Sequence, residues 1–451
     1  MKPLQLKDIV LKIGGVVLSG NDNFIVKNVT TKPYGIYDNT LYFHFNKSRK
    51  IKADVLNNLS SVAIITENPW IFKEIFNKTT IVKVPDIKKA YWRFVDYYRN
   101  LFPIPIVAIT GTCGKTTTRE MIKHILRRKY NVKGTVKNRN SAYNSLSYLL
   151  DIDERTEAGV YEAAVNSPGN LSYTVRHFKP QIRILLNIGV YHLKHCKTPE
   201  AYVKAKSEIL HGMKDDDILI LNADDERIKT IDISRAKKII YFGYDQSSDF
   251  RIKAADYYKN GIKFSFYYRN QIYQGFIKGL GKHNVYNALA SIAAVSSLGI
   301  SIPDALSALK SFNPVEHRLQ LRKGPKGSII IDDNYNNTPP ALKAALEVLK
   351  DIAGKKKKIA ILGYMYNLGT SQYAMEQYAE MGKKAVEVGV DLIVVVGSIP
   401  VDIGKKALEL GMDKDKVIFI PKGRYVRNFI LPYLNENTIV LLKAPENHVN
   451  L

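Results

Sequence analysis

The chain has 451 residues, of which 45% are hydrophobic and 24% are charged, as is usual in globular proteins. This composition excludes wholesale disorder, collagen and a coiled-coil fibre, and at roughly 150 residues per domain the length predicts about three domains. Lysine and arginine number 67 against 42 aspartate and glutamate residues, which gives a net charge of +25. Such a charge suits either a polyanionic partner or a lysine-rich surface. Because the basic residues are scattered, we favour the lysine-rich surface and do not expect nucleic acid as a partner.

Cysteine content and hydropathy bear on the cellular compartment. The two cysteines, Cys113 and Cys196, are too few for a disulfide framework or a zinc cluster, which suits a reducing cytoplasm. The N-terminal residues carry charges where a signal peptide would be apolar. The longest apolar runs are far shorter than a membrane span. We therefore expect a cytoplasmic protein with no membrane span, and we expect it to be a monomer.

The sequence pattern predicts an α/β protein of three domains. A small N-terminal α/β domain, a substrate domain, is predicted over residues 1–85, with strands at 24–29, 40–45 and 62–66. Residues 86–103 are predicted to form a linker helix, because their aromatic and apolar positions recur at helical spacing.

Strands alternate with helices in the remaining chain, which predicts two mostly parallel sheets covered by helices on both faces. The central domain, residues 104–312, begins with a strand at 104–109 and carries a polar, aromatic β-like insert at about 237–280. The C-terminal domain, residues 313–451, is predicted to be a second doubly wound, Rossmann-like domain.

The clearest motif is a phosphate loop within residues 104–118, IPIVAITGTCGKTTT, where a buried strand meets a glycine-containing loop and a helix. Glycines let backbone N–H groups approach phosphate oxygens, and the helix N-terminus adds partial positive charge. Lys115 is placed to reach the β and γ phosphates, and the Thr116 hydroxyl to bind Mg²⁺. The spacing G-x-x-G-K-T is shorter than the usual motif. The alternative is an ordinary strand–helix turn with an exposed lysine.

Three further residues have chemistry that their local pattern leaves open. Glu162 is the single acid in a buried strand, so it needs a partner, and Mg²⁺ and a core salt bridge are equally good candidates. His192 follows a strand at the edge where parallel sheets bind ligands, although a lone histidine there is more often structural. Lys206 lies in an amphipathic helix and, taken alone, is predicted to be solvated.

A polar cluster follows a strand of the C-terminal domain, at the start of a helix with two prolines. Its members are Asp332, Asp333, Asn334 and Asn336. The position suits a ligand site at the sheet edge, and a plain helix N-cap is an equally good interpretation.

Taken in order, nine stretches of the chain resemble the Mur ligase family. They are TGTCGKTTT (110–118), YEAA (161–164), NIGVYHL (187–193), KAKSEIL (204–210), LNADD (221–225), GKHNVYNALAS (281–291), HRLQ (317–320), IIDDNYNNTP (330–339) and ILGYMYNLG (361–369). Each is weak alone, but nine in the family's order are highly specific. The resemblance is greatest to the branch that joins D-alanyl-D-alanine to a UDP-N-acetylmuramoyl tripeptide.

The resemblance implies an ATP- and Mg²⁺-dependent ligase that forms an amide or peptide bond. ATP phosphorylates a substrate carboxylate, and an amino acid or peptide amine then displaces phosphate from the acyl phosphate, with ADP as the other product. It implies catalytic roles for Lys115, His192 and Lys206, the last as a carbamylated lysine. Mg²⁺ ligands are implied to be Thr116, Glu162 and His192. The implied ATP-binding residues are Gly111, Thr112, Cys113, Gly114, Lys115, Thr116, Thr117, Asn284, Arg318 and Asp333.

The sequence departs from the family at both substrate ends. Thr30-Thr31-Lys32 stand in place of an Asp-Ser-Arg uridine-site pattern, and the loop that follows, within residues 44–56, is shortened. In the C-terminal domain Tyr364 and Asn367 replace acids, and residues 443–446 read KAPE where the family has a K-G-S-R type of segment. Two alternatives therefore stay open: a diverged ligase acting on a non-muramoyl carboxylate, and a non-catalytic relative that binds nucleotide and a polyanion.

Overall fold

The structure is a computed structural model that describes residues 1–45, 51, 56, 59–136, 145–445, 449 and 451, without the side chains of residues 145 and 146. The chain forms two compact units. The first unit comprises Met1–Ile104 and Tyr143–Gly159, and the second comprises Pro105–Ala142 and Val160–Leu451. Among the described helices, none is long and apolar enough to cross a membrane.

The first unit is built around a five-stranded sheet of order β2-β7-β6-β5-β4, in which only β2 runs antiparallel to its neighbour. A separate antiparallel pair joins β1 and β3. The elements are β1 (Leu4–Gln5), α1 (Leu6–Ile13), β2 (Val16–Ser19), β3 (Ile25–Val26), β4 (Asn28–Thr30), β5 (Thr40–Phe43), β6 (Val62–Thr66), β7 (Thr80–Lys83) and α2 (Ile87–Asn100). The prediction of a single strand at 24–29 is wrong, because this stretch contains β3 and the start of β4. The stretch is split because the N–H groups of Lys27 and Asn28 both donate to the Asn39 carbonyl, which interrupts regular pairing.

The predicted connecting helix is present as α2. The Asp86 side chain accepts a hydrogen bond from the Lys89 N–H and caps the helix. Its apolar and aromatic positions recur at helical spacing, so one face of α2 is buried. Two of these buried rings, Phe94 and Tyr98, pack 6.1 Å apart.

The central part of the second unit contains a nine-stranded sheet of order β16-β15-β14-β13-β12-β11-β8-β10-β9. Its strands are β8 (Ile106–Thr110), β9 (Val132–Gly134), β10 (Ala158–Glu162), β11 (Ile182–Leu185), β12 (Ile218–Asn222), β13 (Lys238–Gly243), β14 (Phe250–Tyr258), β15 (Gly261–Tyr268) and β16 (Gln271–Lys278). Strands β8, β11, β12 and β13 pair in parallel, and β14–β16 pair antiparallel, which confirms the predicted β insert.

Helices of this region connect and cover the parallel strands. They are α3 (Lys115–Leu126), α5 (Asn170–Phe178), α6 (Leu193–Cys196), α7 (Pro199–Ser207), α8 (Glu226–Lys229), α9 (Asn284–Ser296) and α10 (Ile302–Ser311). Helix α4 (Ser145–Leu150), which comes between α3 and α5 in the chain, belongs to the first unit, where it packs against α2. Because the parallel strands run the same way, the loops after β8, β11 and β12 lie at one edge of the sheet.

The C-terminal part of the second unit has a six-stranded sheet of order β17-β18-β22-β19-β20-β21, parallel except for β17. Its elements are β17 (Gln320–Lys323), β18 (Ile329–Asp332), α11 (Pro339–Ala353), β19 (Lys357–Leu362), α12 (Gln372–Glu387), β20 (Leu392–Val396), α13 (Val401–Glu409), β21 (Val417–Ile420), α14 (Val426–Ile430) and β22 (Thr438–Lys443). Both faces of the sheet are covered. Along β19, Ile359 and Ile361 enter one apolar cluster, whereas Ala360 and Leu362 enter another. The predicted doubly wound domain is therefore confirmed.

Candidate active site

The phosphate loop joins β8 to α3 at the edge of the central sheet. Gly114 is the N-cap of α3 and has a φ of +87°, a conformation that L side chains rarely adopt. A Cβ at this position would lie 2.3 Å from Oδ1 of Asn287, so the close approach of α9 also requires glycine. The first helical hydrogen bond runs from the Thr118 N–H to the Gly114 carbonyl. The N–H groups of residues 115–117 thus have no acceptor within the helix, which makes them available to an anion.

Lys115 turns its ammonium back onto the phosphate loop. Its Nζ donates to the carbonyl oxygens of Gly111 and Thr112, at 2.8 and 3.1 Å. Burial lowers the pKa of Lys115, and the negative charge of Glu162 opposes this shift. The ammonium therefore lies within the loop, contrary to the alternative of an exposed lysine on an ordinary turn.

Lys206 is fully buried behind the same loop, at 1% exposure. Its Nζ donates to Thr110 Oγ1 at 3.1 Å and to the Gly111 carbonyl at 3.0 Å, so two lysines share one carbonyl oxygen. Burial first, and then the positive charge of Lys115, hold the pKa of Lys206 well below its ordinary value. The solvated lysine predicted from the helical pattern alone is wrong, because α7 packs this residue against the loop.

His192 lies in the loop between β11 and α6, with a φ of +55° and 9% exposure. Its Nδ1 is buried and has no hydrogen-bond partner among the described residues. Burial, with contributions from Lys206 and Lys115, lowers the pKa of His192 to about 3. The imidazole is therefore neutral near pH 7 and keeps a lone pair available for a cation or a donor.

Glu162 is the last residue of β10, and in the structure it forms a buried salt bridge with Arg119. Arg119 Nη1 lies 2.6 Å from Glu162 Oε1, and both side chains are almost fully buried. The two interpretations of Glu162 do not exclude each other, because Glu162 also borders the cavity described below. Within the described part of the chain, no three His, Cys, Asp or Glu side chains are grouped as a metal cluster.

The C-terminal part of the second unit contributes an arginine to the phosphate loop. Arg318 Nη2 donates to Thr116 Oγ1 at 3.1 Å, and the guanidinium lies 4.1 Å from the centre of the Tyr335 ring. Its Nε is buried without a partner among the described residues. A buried donor of this kind beside a phosphate loop favours an anionic ligand.

The polar cluster after β18 is not a plain helix cap. The N-cap of α11 is Thr338, whose side chain accepts a hydrogen bond from the Ala341 N–H. Asp332 instead pairs with His317 and Arg322. The N-cap interpretation of the cluster is therefore wrong, because its carboxylates already have cationic partners.

Asp333 and Asn284 are both held in place by neighbouring side chains. The Asp333 carboxylate lies 2.5 Å from the buried ammonium of Lys443. Asn284 donates to the Leu280 carbonyl at 2.7 Å and accepts from Asn287 Nδ2 at 2.9 Å. Both residues face the same cavity.

A cavity of about 770 Å³ collects these groups within the second unit. Eleven of the thirteen residues predicted for the site line it: Thr112, Cys113, Gly114, Lys115, Thr116, Thr117, Glu162, His192, Asn284, Arg318 and Asp333. Gly111 and Lys206 do not line it. Gly111 is the first residue of the phosphate loop, and Lys206 lies behind that loop, where its Nζ donates to the Gly111 carbonyl.

Comparison with known proteins assigns the chain to a family. The sequence matches the Mur ligase middle domain over residues 109–295 and the Mur ligase, glutamate ligase domain over residues 317–445. Together these two matches cover most of the chain and include most of the residues that line the cavity. The chain belongs to the Mur ligase family.

Individual relatives agree with this assignment. The UDP-N-acetylmuramoyl-tripeptide–D-alanyl-D-alanine ligase of Bacillus subtilis is 31% identical over 64% of this chain and 62% of its own length. The enzyme of that name from Escherichia coli is 27% identical over 70% of this chain and 69% of its own length. The Bacillus alignment thus spans less than two thirds of that relative.

Solved structures of Mur ligases share the fold. MurF from Acinetobacter baumannii has a TM-score of 0.82 at 23% identity, covering 99% of this chain and 97% of that chain. The MurF ligase from Thermotoga maritima in complex with ADP has a TM-score of 0.77 at 21% identity, covering 94% and 95%. The three-domain α/β architecture of this Mur ligase is therefore the MurF fold.

Sequence reasoning missed several residues of this Mur ligase site. The most connected is Asn187, which hydrogen-bonds the backbone of Thr112 and Cys113. Asp225 and Arg227 hold the loop that follows Asn187, and Asn287 lies against Gly114. Two of these residues could have been predicted from their positions, because Asn187 and Asp225 each follow a parallel strand at the ligand-binding edge of the sheet.

Proposed function

We propose that this chain is an ATP-dependent carboxylate–amine ligase that forms an amide or peptide bond through an acyl phosphate and releases ADP and phosphate. The observation that carries the proposal is the convergence of two cations and a helix N-terminus on one short loop. Lys115 donates to the Gly111 carbonyl, Arg318 donates to the Thr116 hydroxyl, and α3 begins at Lys115. Such a concentration of positive charge suits a triphosphate whose terminal group is transferred.

The chain's own groups would bind and orient the phosphates. The N-terminal N–H groups of α3 would hold phosphate oxygens, and Lys115 would leave its loop carbonyls to neutralise the transferred group. Arg318, which already donates to Thr116 Oγ1, would hold the charge that develops on the phosphoryl oxygens. These contacts would form inside the cavity that loops of both sheets of the second unit line.

The residues present fit a divalent cation. The neutral imidazole of His192 has an orphaned buried Nδ1, Glu162 supplies a carboxylate, and Thr116 supplies a hydroxyl, all facing one cavity. We infer that these three would hold Mg²⁺, and that phosphate oxygens would complete its coordination. When bound, Mg²⁺ would neutralise charge on the phosphates and polarise the transferred group.

We infer that Lys206 is carbamylated in the active enzyme. Carbamylation requires a neutral amine, and burial together with Lys115 lowers the pKa of Lys206, which enlarges the neutral fraction. The product would exchange a cation next to Lys115 for an anion. That change would replace repulsion between two buried ammonium groups by attraction and would add negative charge behind the metal region.

The default substrates are a UDP-muramoyl peptide and D-alanyl-D-alanine, as the names of the B. subtilis and E. coli relatives imply. A diverged ligase is the second candidate, because the amine end of the site lacks the acids of the family. Asn367 donates to the Tyr191 hydroxyl at 3.2 Å, and the Tyr364 hydroxyl donates to the Tyr366 carbonyl.

In the first unit, Thr30 Oγ1 accepts a hydrogen bond from the Lys32 N–H at 3.0 Å. The threonine side chain of the altered Thr30–Lys32 segment is thus used in a local turn, which favours an altered carboxylate site. Most of the shortened loop at 44–56, and residue 446 of the altered C-terminal segment, lie outside the described residues.

The experiment is ADP release on mixing ATP, Mg²⁺, UDP-N-acetylmuramoyl tripeptide and D-alanyl-D-alanine with the purified chain. We expect turnover that needs both substrates and is lost in Lys206→Ala. Lys204→Ala, on the exposed side of the same helix, is the matched control and should retain turnover. Turnover only with another carboxylate or amine would favour the diverged ligase. ATP binding with no turnover for any pair would overturn the ligase proposal and favour a non-catalytic relative.

A further inference from the structure

The phosphate loop is too short to determine its own shape. Four residues, 111–114, separate the end of β8 from the start of α3. The Thr112 N–H donates out of the loop to the Asn187 carbonyl at 2.9 Å. The conformation of the loop is therefore set largely by the segment that follows β11.

Asn187 contacts the loop through every polar atom of its side chain. Its Oδ1 accepts from the N–H groups of Thr112 and Cys113, at 3.1 and 2.8 Å. Its Nδ2 donates to the Cys113 carbonyl at 3.1 Å. One carboxamide thus satisfies the N–H and the carbonyl of Cys113, and it shares the Thr112 N–H with the backbone carbonyl of Asn187.

This arrangement decides which N–H groups of the loop remain for a ligand. The N–H groups of residues 112 and 113 are occupied by Asn187, whereas those of residues 115–117 have no acceptor within α3. The side chain also fixes the peptide that precedes Gly114, and so fixes the direction in which α3 presents its N-terminus. A change at Asn187 would therefore alter the phosphate site without removing any group that touches phosphate.

The residue that follows Asn187, Ile188, is held by hydrogen bonds at both its N–H group and its carbonyl oxygen. The Ile188 N–H donates to Asp225 Oδ2 at 2.8 Å, and Arg227 Nη1 donates to the Ile188 carbonyl at 3.1 Å. The Gly189 N–H donates to Thr112 Oγ1 at 2.9 Å, which adds a second tie to the loop. The loop is thus held through Asn187 by a rigid neighbour rather than by a freely moving side chain.

We propose that Asn187 is the positioning residue of the phosphate loop: its carboxamide holds Thr112 and Cys113 so that the N-terminus of α3 is presented to the nucleotide phosphates. The inference deepens the proposed function and rests on it, because it takes a nucleoside diphosphate or triphosphate as the ligand. Asn187 acts through the loop backbone and does not itself contact phosphate.

The test is calorimetric titration of the full chain with ADP and Mg²⁺, which needs no ligase substrate. In Asn187→Ala we expect the Kd for ADP to rise at least tenfold. Asn222→Ala is the matched control, because Asn222 ends the neighbouring strand and hydrogen-bonds the Leu186 carbonyl at 3.0 Å and the Asp224 N–H at 3.0 Å, without touching the loop. We expect its Kd to stay within threefold of the wild-type value, even if its thermal stability falls.

A second variant separates positioning from folding. Asn187→Asp keeps both acceptor contacts but replaces the Nδ2 donor with a carboxylate oxygen that faces the Cys113 carbonyl. We expect the ratio of its Kd for ADP to that of the wild type to be at least fivefold at pH 8. The ratio should fall towards pH 5, because a protonated carboxyl donates where Nδ2 did.

The outcomes distinguish this inference from the function on which it rests. Wild-type affinity in Asn187→Ala, or a Kd ratio for Asn187→Asp that does not change with pH, would overturn the positioning role alone. If the wild-type chain itself did not bind ADP, the proposed function would fail and this inference with it.

Discussion

Replacement of Gly114 by alanine tests whether the phosphate loop and α9 have the close contact described above. An added Cβ meets two obstacles: the positive φ of +87° and Oδ1 of Asn287 at 2.3 Å. Gly169 offers a matched control, because it also precedes a helix as N-cap with a φ of +87°, yet a Cβ there would have nothing within 4 Å. The two alanine variants share the backbone strain and differ in the clash.

The difference can be estimated from the bonds that Asn287 would lose by moving. The shared strain of a positive φ is about 1–2 kcal/mol in each variant. Asn287 accepts from Thr118 Oγ1 at 3.3 Å and donates to Asn284 Oδ1 at 2.9 Å. At about 1 kcal/mol for each hydrogen bond, Gly114→Ala should lose about 2 kcal/mol more than Gly169→Ala. That corresponds to roughly a 30-fold change in an equilibrium constant.

This free energy divides between nucleotide affinity and the stability of the second unit, according to whether the loop or the asparagine moves. Calorimetric titration with ADP gives the loss of nucleotide affinity. Urea denaturation, monitored by hydrogen exchange in α3, gives the loss of stability. We expect the two losses in Gly114→Ala to exceed those in Gly169→Ala by about 2 kcal/mol in sum. Equal losses in the two variants would refute the argument that the loop packs against Asn287.

Three other predictions concern single side chains. Arg119→Leu leaves Glu162 buried without its arginine partner and should destabilise the second unit by about 3–5 kcal/mol in urea denaturation. Lys238→Ala, which removes an exposed ion pair of the same unit, should change its stability by less than about 1 kcal/mol, and similar effects of the two variants would contradict a buried ion pair. Cys113→Ala should bind ADP within threefold of the wild type, because the loop contacts of this residue use its backbone, and a tenfold loss would show a role for the thiol. Since burial lowers the pKa of Lys206, the neutral amine that reacts with CO₂ becomes more abundant as pH rises through that lowered value; ¹³C-bicarbonate should give a carbamate resonance that grows with pH and is missing in Lys206→Ala, and its absence at pH 8 would contradict carbamylation.

The parts of the site that depend on adjacent residues could be predicted from the sequence. The phosphate loop is one, because a buried strand, two glycines and the start of a helix are all within residues 104–118. The doubly wound C-terminal sheet is another, since short apolar runs such as β20 are buried on both faces. In these cases, local pattern and tertiary packing impose the same requirement on the chain.

Other features depend on contacts between distant residues, and local pattern carries little information about them. Lys206 lies on a helix of ordinary amphipathic pattern. Only its hydrogen bonds to Thr110 and Gly111, which lie 96 and 95 positions earlier in the chain, show that it is buried. Glu162 pairs with Arg119, which is 43 positions away in the chain. Asn187 accepts a hydrogen bond from Cys113, which is 74 positions away. A single sequence gives the chemistry of such residues but not their partners.

The central claim is that this chain transfers the terminal phosphate of ATP to a carboxylate. The most direct measurement is ³¹P NMR of the phosphate released when the carboxylate substrate carries ¹⁸O in its reacting carboxyl group. Through an acyl phosphate, one carboxylate oxygen must leave with the phosphate, so we expect each released phosphate to carry one ¹⁸O when amide is formed. Amide formation with unlabelled phosphate would contradict the account.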